Sequence, residues 1–337
     1  MALTLNEEQQ LLSDSAKDFF TKRMPVSLLR ELRDNEDELG YSEPHWKEMM
    51  ELGWGGIVVK EEYGGLDFGY QGLGVVLEEA GRTLAASPLF TTCVLGSTAI
   101  ELAGNEEQKS ELLPLLVAGE LLLALAIEES ATHGPKRTNT RAIKTETGYK
   151  ISGDKTFVLD GHIANKLIVV ARTSGDPGSE QGITLFLVDN NSPGLEIRKR
   201  KMVDSRNSCN IAFREVEVSS SAVLGTVDEG FAVLDHMLSI AQICLASEML
   251  GSMQEAFERT VEDIKTRVQF DVPLGSFQVL QHRAAKMYVE IDLCKSVVIA
   301  ALSALDEGKT PNEIGQHASL AKAKVTETFN LVTSEAI

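Results

Sequence analysis

A chain of 337 residues is longer than one ordinary core and implies two or three domains of roughly 100–200 residues each. Hydrophobic residues at 43% and charged residues at 24% suit a soluble globular protein, and no run of about 18 uncharged apolar residues offers a membrane span. A net charge of -18 argues against nucleic acid as a partner, although a local run such as Lys199, Arg200 and Lys201 can hold a small anion against the global sign.

The N-terminal stretch MALTLNEEQQ is acidic and lacks the basic start and apolar run of a secretory signal. Asn6 and Gln9 predict a capping box, and Leu11, Leu12, Ala16, Phe19 and Phe20 fall on one face of the helix that follows. Pro25 interrupts that pattern. A second helix runs through Trp46, Met49, Met50 and Leu52 and stops near Gly53. After Gly64 and Gly65 a further helix passes through Leu73, Val76, Leu77 and Ala80. Two more fit 89–103 and 106–118, closed by Gly104 and Gly119.

After Glu120 the character changes. Segments 149–152, 166–171, 183–188, 195–198, 209–213 and 215–218 alternate or are rich in β-branched residues, with turn-rich stretches between them. Strands this short and this spaced predict an antiparallel barrel or sandwich. No GxGxxG or GxxxxGK[ST] occurs, so neither a dinucleotide-binding strand–helix unit nor a P-loop is supported. Helical periodicity returns at Gly230, nearly all apolar from Phe231 to Met249, and a last helix opens at Pro311. The fold class is therefore α+β, mostly α: an N-terminal helical domain over 1–121, a central antiparallel β-barrel over 122–229 and a C-terminal helical bundle over 230–337. Cys93, Cys209, Cys244 and Cys294 are scattered without a CxxC pair, which predicts reduced, buried thiols of a cytoplasmic protein and no metal site.

Five strings then stand in order: EEYGGLDFGY with VLEEAGR at 61–82, GNEEQKSELLPLLVAGE at 104–120, ALAIEES at 124–130, SGDKTFVLDG at 152–161 and RVQFDVPLGSFQVLQHRAAKM at 267–287. Together they resemble the acyl-CoA dehydrogenase family over nearly the whole chain. The resemblance implies FAD as cofactor and α,β-dehydrogenation of an acyl-CoA to a trans-2-enoyl-CoA, with electrons leaving to an electron-transfer flavoprotein. It implies a flavin lying between barrel and bundle at a dimer contact, in a homodimer, homotetramer or heteromer. Such chemistry needs positioning and fixed donors more than covalent help from the protein.

The resemblance also assigns residues. Ile127 and Glu128 fall against the flavin ring. Phe157, Val158 and Leu159 occupy the family's Trp-Ile-Thr, with Leu159 lacking the usual hydroxyl. Arg267 matches the arginine that reaches the FAD pyrophosphate of a neighbouring subunit, with Phe270, Phe277 and Gln278 beside the same cofactor, and a guanidinium fork suits phosphate oxygens. Asp271 replaces a family glycine there. His133 and Gln242 fall at substrate contacts, and His282 reads as a structural helix residue. The family's commoner catalytic glutamate lies beyond Ile337, which reads as a C-terminally truncated chain. Its alternative position is Ala241, leaving Glu248, seven residues on, as a weak substitute. KTFVLDGHIANKLIVVARTSG and LGSFQVLQHRAAKM are similar to the small subunit of pimeloyl-CoA dehydrogenase-like, two-gene enzymes. Two alternatives stay open: an inactive or partner subunit of a heteromeric enzyme, and an acyl-CoA oxidase-like flavoenzyme.

Overall fold

The structure is a computed structural model describing residues 5–337, so the first four residues of the acidic N-terminal stretch lie outside it. Helices α1 (Glu7–Arg23), α2 (Val26–Asp34), α3 (Glu43–Glu51), α4 (Tyr70–Arg82), α5 (Ser97–Ala103) and α6 (Glu106–Val117) come first. Strands β1 (Leu123–Ala126), β2 (Arg141–Lys144), β3 (Gly148–Leu159), β4 (Lys166–Arg172), β5 (Ile183–Asp189), β6 (Leu195–Arg200), β7 (Ser208–Ser219) and β8 (Val223–Leu224) follow. The chain closes with α7 (Gly230–Thr266), the hairpin β9 (Val268–Gln269) and β10 (Val272–Pro273), α8 (Gln278–Asp306) and α9 (Pro311–Glu335).

Local sequence explains the helix starts. Asn6 with Gln9, Asn105 with Gln108 and Thr310 with Glu313 each form a reciprocal capping box, satisfying backbone donors that a helix N-terminus leaves open. The helix expected over 89–103 is two pieces: Leu89–Gly96 is wound as a π-helix and passes directly into α5. α2 was not expected.

Contacts divide the chain into two compact units. One comprises the segments up to Arg30, Phe68–Ala85 and Ser239–Ile337; the other comprises Glu31–Asp67 and Ala86–Leu238. In the first, α4 and α7 cross where Gly81 faces the carbonyl of Glu248 and Gly251 faces the carbonyl of Glu78. Arg82 at that crossing binds Glu79, Glu255 and Glu258 and donates to Gln254. α7 is long and apolar enough to cross a membrane, but 56% of its apolar window is buried within the protein, as in a core helix.

The second unit holds the eight-stranded sheet, ordered β6-β7-β3-β2-β4-β5-β8 with β1 also on β4. This corrects the expected antiparallel barrel in two ways. The sheet is not closed: β6 pairs with β7 alone, and two-residue β8 pairs with β5 alone. Nor is it purely antiparallel, because β1 runs parallel to β4 from Leu123↔Lys166 to Ala126↔Val169, and β2 meets β4 in parallel at Arg141↔Arg172. The segments 209–213 and 215–218 form the single strand β7, bent at Glu215, whose φ is 53°. Phe186, Phe213, Ile151, Val158, Leu167 and Val188 lie in the buried core of the sheet. All four cysteines are buried free thiols.

Candidate functional site

The loop leaving β1 is tied to β3 at one point. Lys155, 1% exposed, donates from Nζ to the Ile127 carbonyl (3.0 Å) and to Glu129 Oε1 (2.8 Å). The next carbonyl, Glu128, accepts from the backbone N–H of Thr156 (2.8 Å). The Glu129 carboxylate reaches the loop's far end, accepting from the N–H groups of Asn139 (2.6 Å) and Thr140 (2.9 Å). Burial pushes the Glu129 carboxyl up, but the Lys155 ammonium and these backbone donors outweigh it and hold it at about 2. Burial drags Lys155 down to about 8 against the pull of Glu129. The asymmetry has a cause: Glu129 has two further donors, while Lys155 is fully desolvated. Both groups are ionised at neutral pH. A buried ion pair ordinarily adds little net stability, because desolvation of both groups offsets their attraction.

Above this clamp lies a cavity of about 750 Å³, within the range of small-molecule and cofactor sites. It gathers three of the sequence-predicted residues: Glu128, His133 and Phe157. His133 Nδ1 meets the Glu128 carboxylate. Phe157 has a left-handed φ of 58° and is 54% exposed, because a bulge between Lys155 and Val158 turns it out of the sheet. A bulky residue held at positive φ is uncommon and concentrates at functional sites. Val158 instead points into the sheet core, and Leu159 is half-buried. Sequence reading missed much of the wall: Asp154, Asn210 and Arg214 on β3 and β7, and Glu196 and Arg198 on β6. Arg200, of the basic run singled out in the sequence, also lines it from β6. Arg214 pairs with Asp154 (3.0 Å) and Arg198 with Glu196 (3.3 Å), whereas Arg200 has no ion pair among the described residues. The signal was present: Arg198 and Arg200 are two apart on one strand and so share a face.

The other predicted residues fall in the helical unit. Arg267 is exposed, with no ion pair among the described residues, and its carbonyl accepts from the N–H of Leu274 (2.9 Å). It opens the β9–β10 hairpin. The turn residues Phe270 and Asp271 both have positive φ, 55° and 66°, a conformation that favours glycine at the second place. Phe270 is 83% exposed and stands edge-on to Phe277 at 6.2 Å. Gln278 is exposed at the start of α8, and His282 is exposed one turn further. On α7, Ala241 is buried and Gln242 half-buried; Glu248 is half-buried at the crossing with α4.

Comparison with known proteins agrees with this architecture. Three family models match: the acyl-CoA dehydrogenase N-terminal domain over residues 6–120, the middle domain over 125–216 and the C-terminal domain over 228–337. The chain belongs to the acyl-CoA dehydrogenase family. Among members of this family, the mitochondrial 2-methylacyl-CoA dehydrogenase of Solanum tuberosum is 32% identical over 289 residues, 84% of this chain and 70% of that protein. Butyryl-CoA dehydrogenase from Megasphaera elsdenii superposes with a TM-score of 0.91 at 28% identity, covering 100% of this chain and 88% of that one. A chain in the structure of the electron transferring flavoprotein of Acidaminococcus fermentans superposes with a TM-score of 0.89 at 26% identity, covering 100% and 88%. The clamp and the cavity both lie in the stretch matched by the family's middle domain, and the Arg267 hairpin lies in its C-terminal domain.

Proposed function

We propose that the chain holds FAD in the cavity above Lys155 and takes part in α,β-dehydrogenation of an acyl-CoA, passing electrons to an electron-transfer flavoprotein. The observation that carries this is Phe157: an aromatic ring turned into a cavity of cofactor size by a strained bulge, beside the Glu128 and His133 loop. The residues fit such a group. Phe157 offers an aromatic face for packing. The backbone of Ile127 and Glu128 is fixed, so any donor it presents is already oriented and needs no reorganisation on binding. Leu159 offers backbone groups only. FAD, when bound, supplies the hydride acceptor; the chain supplies binding, orientation and exclusion of water. Arg267, Phe270, Phe277 and Gln278 are exposed in the helical unit, which suits a role at the cofactor of a second subunit. The electron-transfer flavoprotein is supported by the structural neighbour from Acidaminococcus fermentans, which bears that name.

The test is to purify the chain with added FAD, record its absorption spectrum and add acyl-CoA without oxygen. Bound flavin that bleaches supports the proposal; a folded protein that ignores FAD overturns it. A second reading, a partner subunit that keeps the fold but not the chemistry, is favoured by Ala241, which is buried and cannot accept a proton. Bleaching by the chain alone would exclude it. Peroxide release under oxygen would instead indicate an oxidase.

A further inference from the structure

The clamp fixes more than the loop's position. Consecutive carbonyls, those of Ile127 and Glu128, are both drawn to β3, by Lys155 Nζ and by the Thr156 N–H. A trans peptide sets its N–H opposite its carbonyl. The N–H groups of Glu128 and Glu129 are therefore turned away from those two partners, and among the described residues neither has a hydrogen-bond partner of its own. Both residues line the cavity. Glu129 closes the arrangement by tying Asn139 and Thr140, across the loop, to the same ammonium. Between these anchors, Ser130, Ala131, Thr132 and His133 are exposed.

We propose that Lys155 and Glu129 are positioning residues: the pair holds the N–H groups of Glu128 and Glu129 as a fixed couple of donors for an acceptor-bearing ring in the cavity. This deepens the flavin reading and rests on it for the identity of the ring. Neither residue need touch the ligand through its charge. A buried ion pair contributes little stability as a rule, which fits a device kept for geometry.

The experiment compares the full chain with Lys155→Met, Glu129→Gln and the double variant. It measures thermal midpoint, amide exchange over 127–140 and FAD affinity by spectral titration. Each single variant leaves a buried partner uncompensated and is expected to lose stability, whereas the double variant removes both charges and recovers it. In all three, the Asn139 and Thr140 amides should exchange faster. FAD affinity should fall about tenfold or more, the equivalent of two ordinary hydrogen bonds to the ring, and should stay low in the double variant. A merely structural pair would regain affinity together with stability, so a double variant that binds FAD like the wild type overturns the inference. Unchanged affinity in folded single variants also overturns it. If the wild type itself ignores FAD, the flavin reading fails, and amide exchange alone then decides: protection lost in the variants sustains the clamp, protection kept overturns it.

Discussion

The crossing of α4 and α7 makes the sharpest stability prediction. An added Cβ at Gly81 would lie 1.9 Å from the Glu248 carbonyl oxygen, and one at Gly251 would lie 1.7 Å from that of Glu78. Both obstacles are backbone, which cannot rotate aside, so the helices would have to part by more than an ångström to reach ordinary contact. Parting them would also pull Arg82 on α4 from Glu255 and Glu258 on α7. Replacing a helical glycine by alanine in open space stabilises by about 1 kcal/mol. Overpacking a tight contact destabilises by about 1–3 kcal/mol, and more where backbone must move. The second effect wins here, so Gly81→Ala and Gly251→Ala should each destabilise by about 2 kcal/mol or more. Gly315 on α9 is the internal control, because its added Cβ would meet nothing nearer than Ser239 Oγ at 3.9 Å. Gly315→Ala should stabilise by up to about 1 kcal/mol. Urea unfolding of the three variants reads the sign directly. A Gly81→Ala midpoint equal to or above wild type, at unchanged slope, would refute the reasoning.

Three further outcomes follow from buried ionisable groups. Burial pushes Glu79 up to about 7 despite Arg82, so its ionisation opposes folding above that pH and has no effect below the ordinary carboxylate value of 4.5. Glu79→Gln should therefore raise the urea midpoint at pH 8 and leave it unchanged near pH 4.5. Glu129 has the opposite sign: held at about 2, it stabilises the fold above pH 4.5, and that contribution is lost as pH falls towards 2. The gap between wild type and Glu129→Gln, followed by circular dichroism, should close over that window. Burial pushes the thiols of Cys209 and Cys244 up to about 12 and raises Cys93 and Cys294 as well. Ellman's reagent at pH 8 should find none of the four in the native protein and all four after denaturation; a fast native reaction would contradict the burial.

How far the sequence reached depended on whether its periodicity survived in three dimensions. Segments 166–171 and 183–188 are recovered almost to the residue as β4 and β5, because their β-branched runs are bounded by turns. β1 was hidden. It reads LALA, buried at every position and parallel to β4, and a strand buried on both faces shows no alternation. The open edges at β6 and β8 were equally invisible, since spacing between strands fixes their number and not whether the first meets the last. The candidate site shows the same limit more closely. Strict alternation along β3 would put Lys155 and Phe157 on one face and Val158 on the other. The bulge breaks that rule: Lys155 and Val158 are each 1% exposed, while Phe157 is 54% exposed. A motif could point to Phe157, yet nothing in the local pattern could reveal that the lysine two places earlier turns inward to a glutamate 26 residues before it. That pairing is decided by desolvation. A lysine ammonium enters a protein interior only where acceptors meet it, and here the meeting requires the 127–140 loop to fold back over β3. Removing the bulge tests the device. A variant that deletes Thr156 would restore the period of two with Lys155 and Val158 both inward, and it would take away the N–H that holds the Glu128 carbonyl. It should lose FAD binding and loop protection together, and loss of either one alone would mean that bulge and clamp are separate devices.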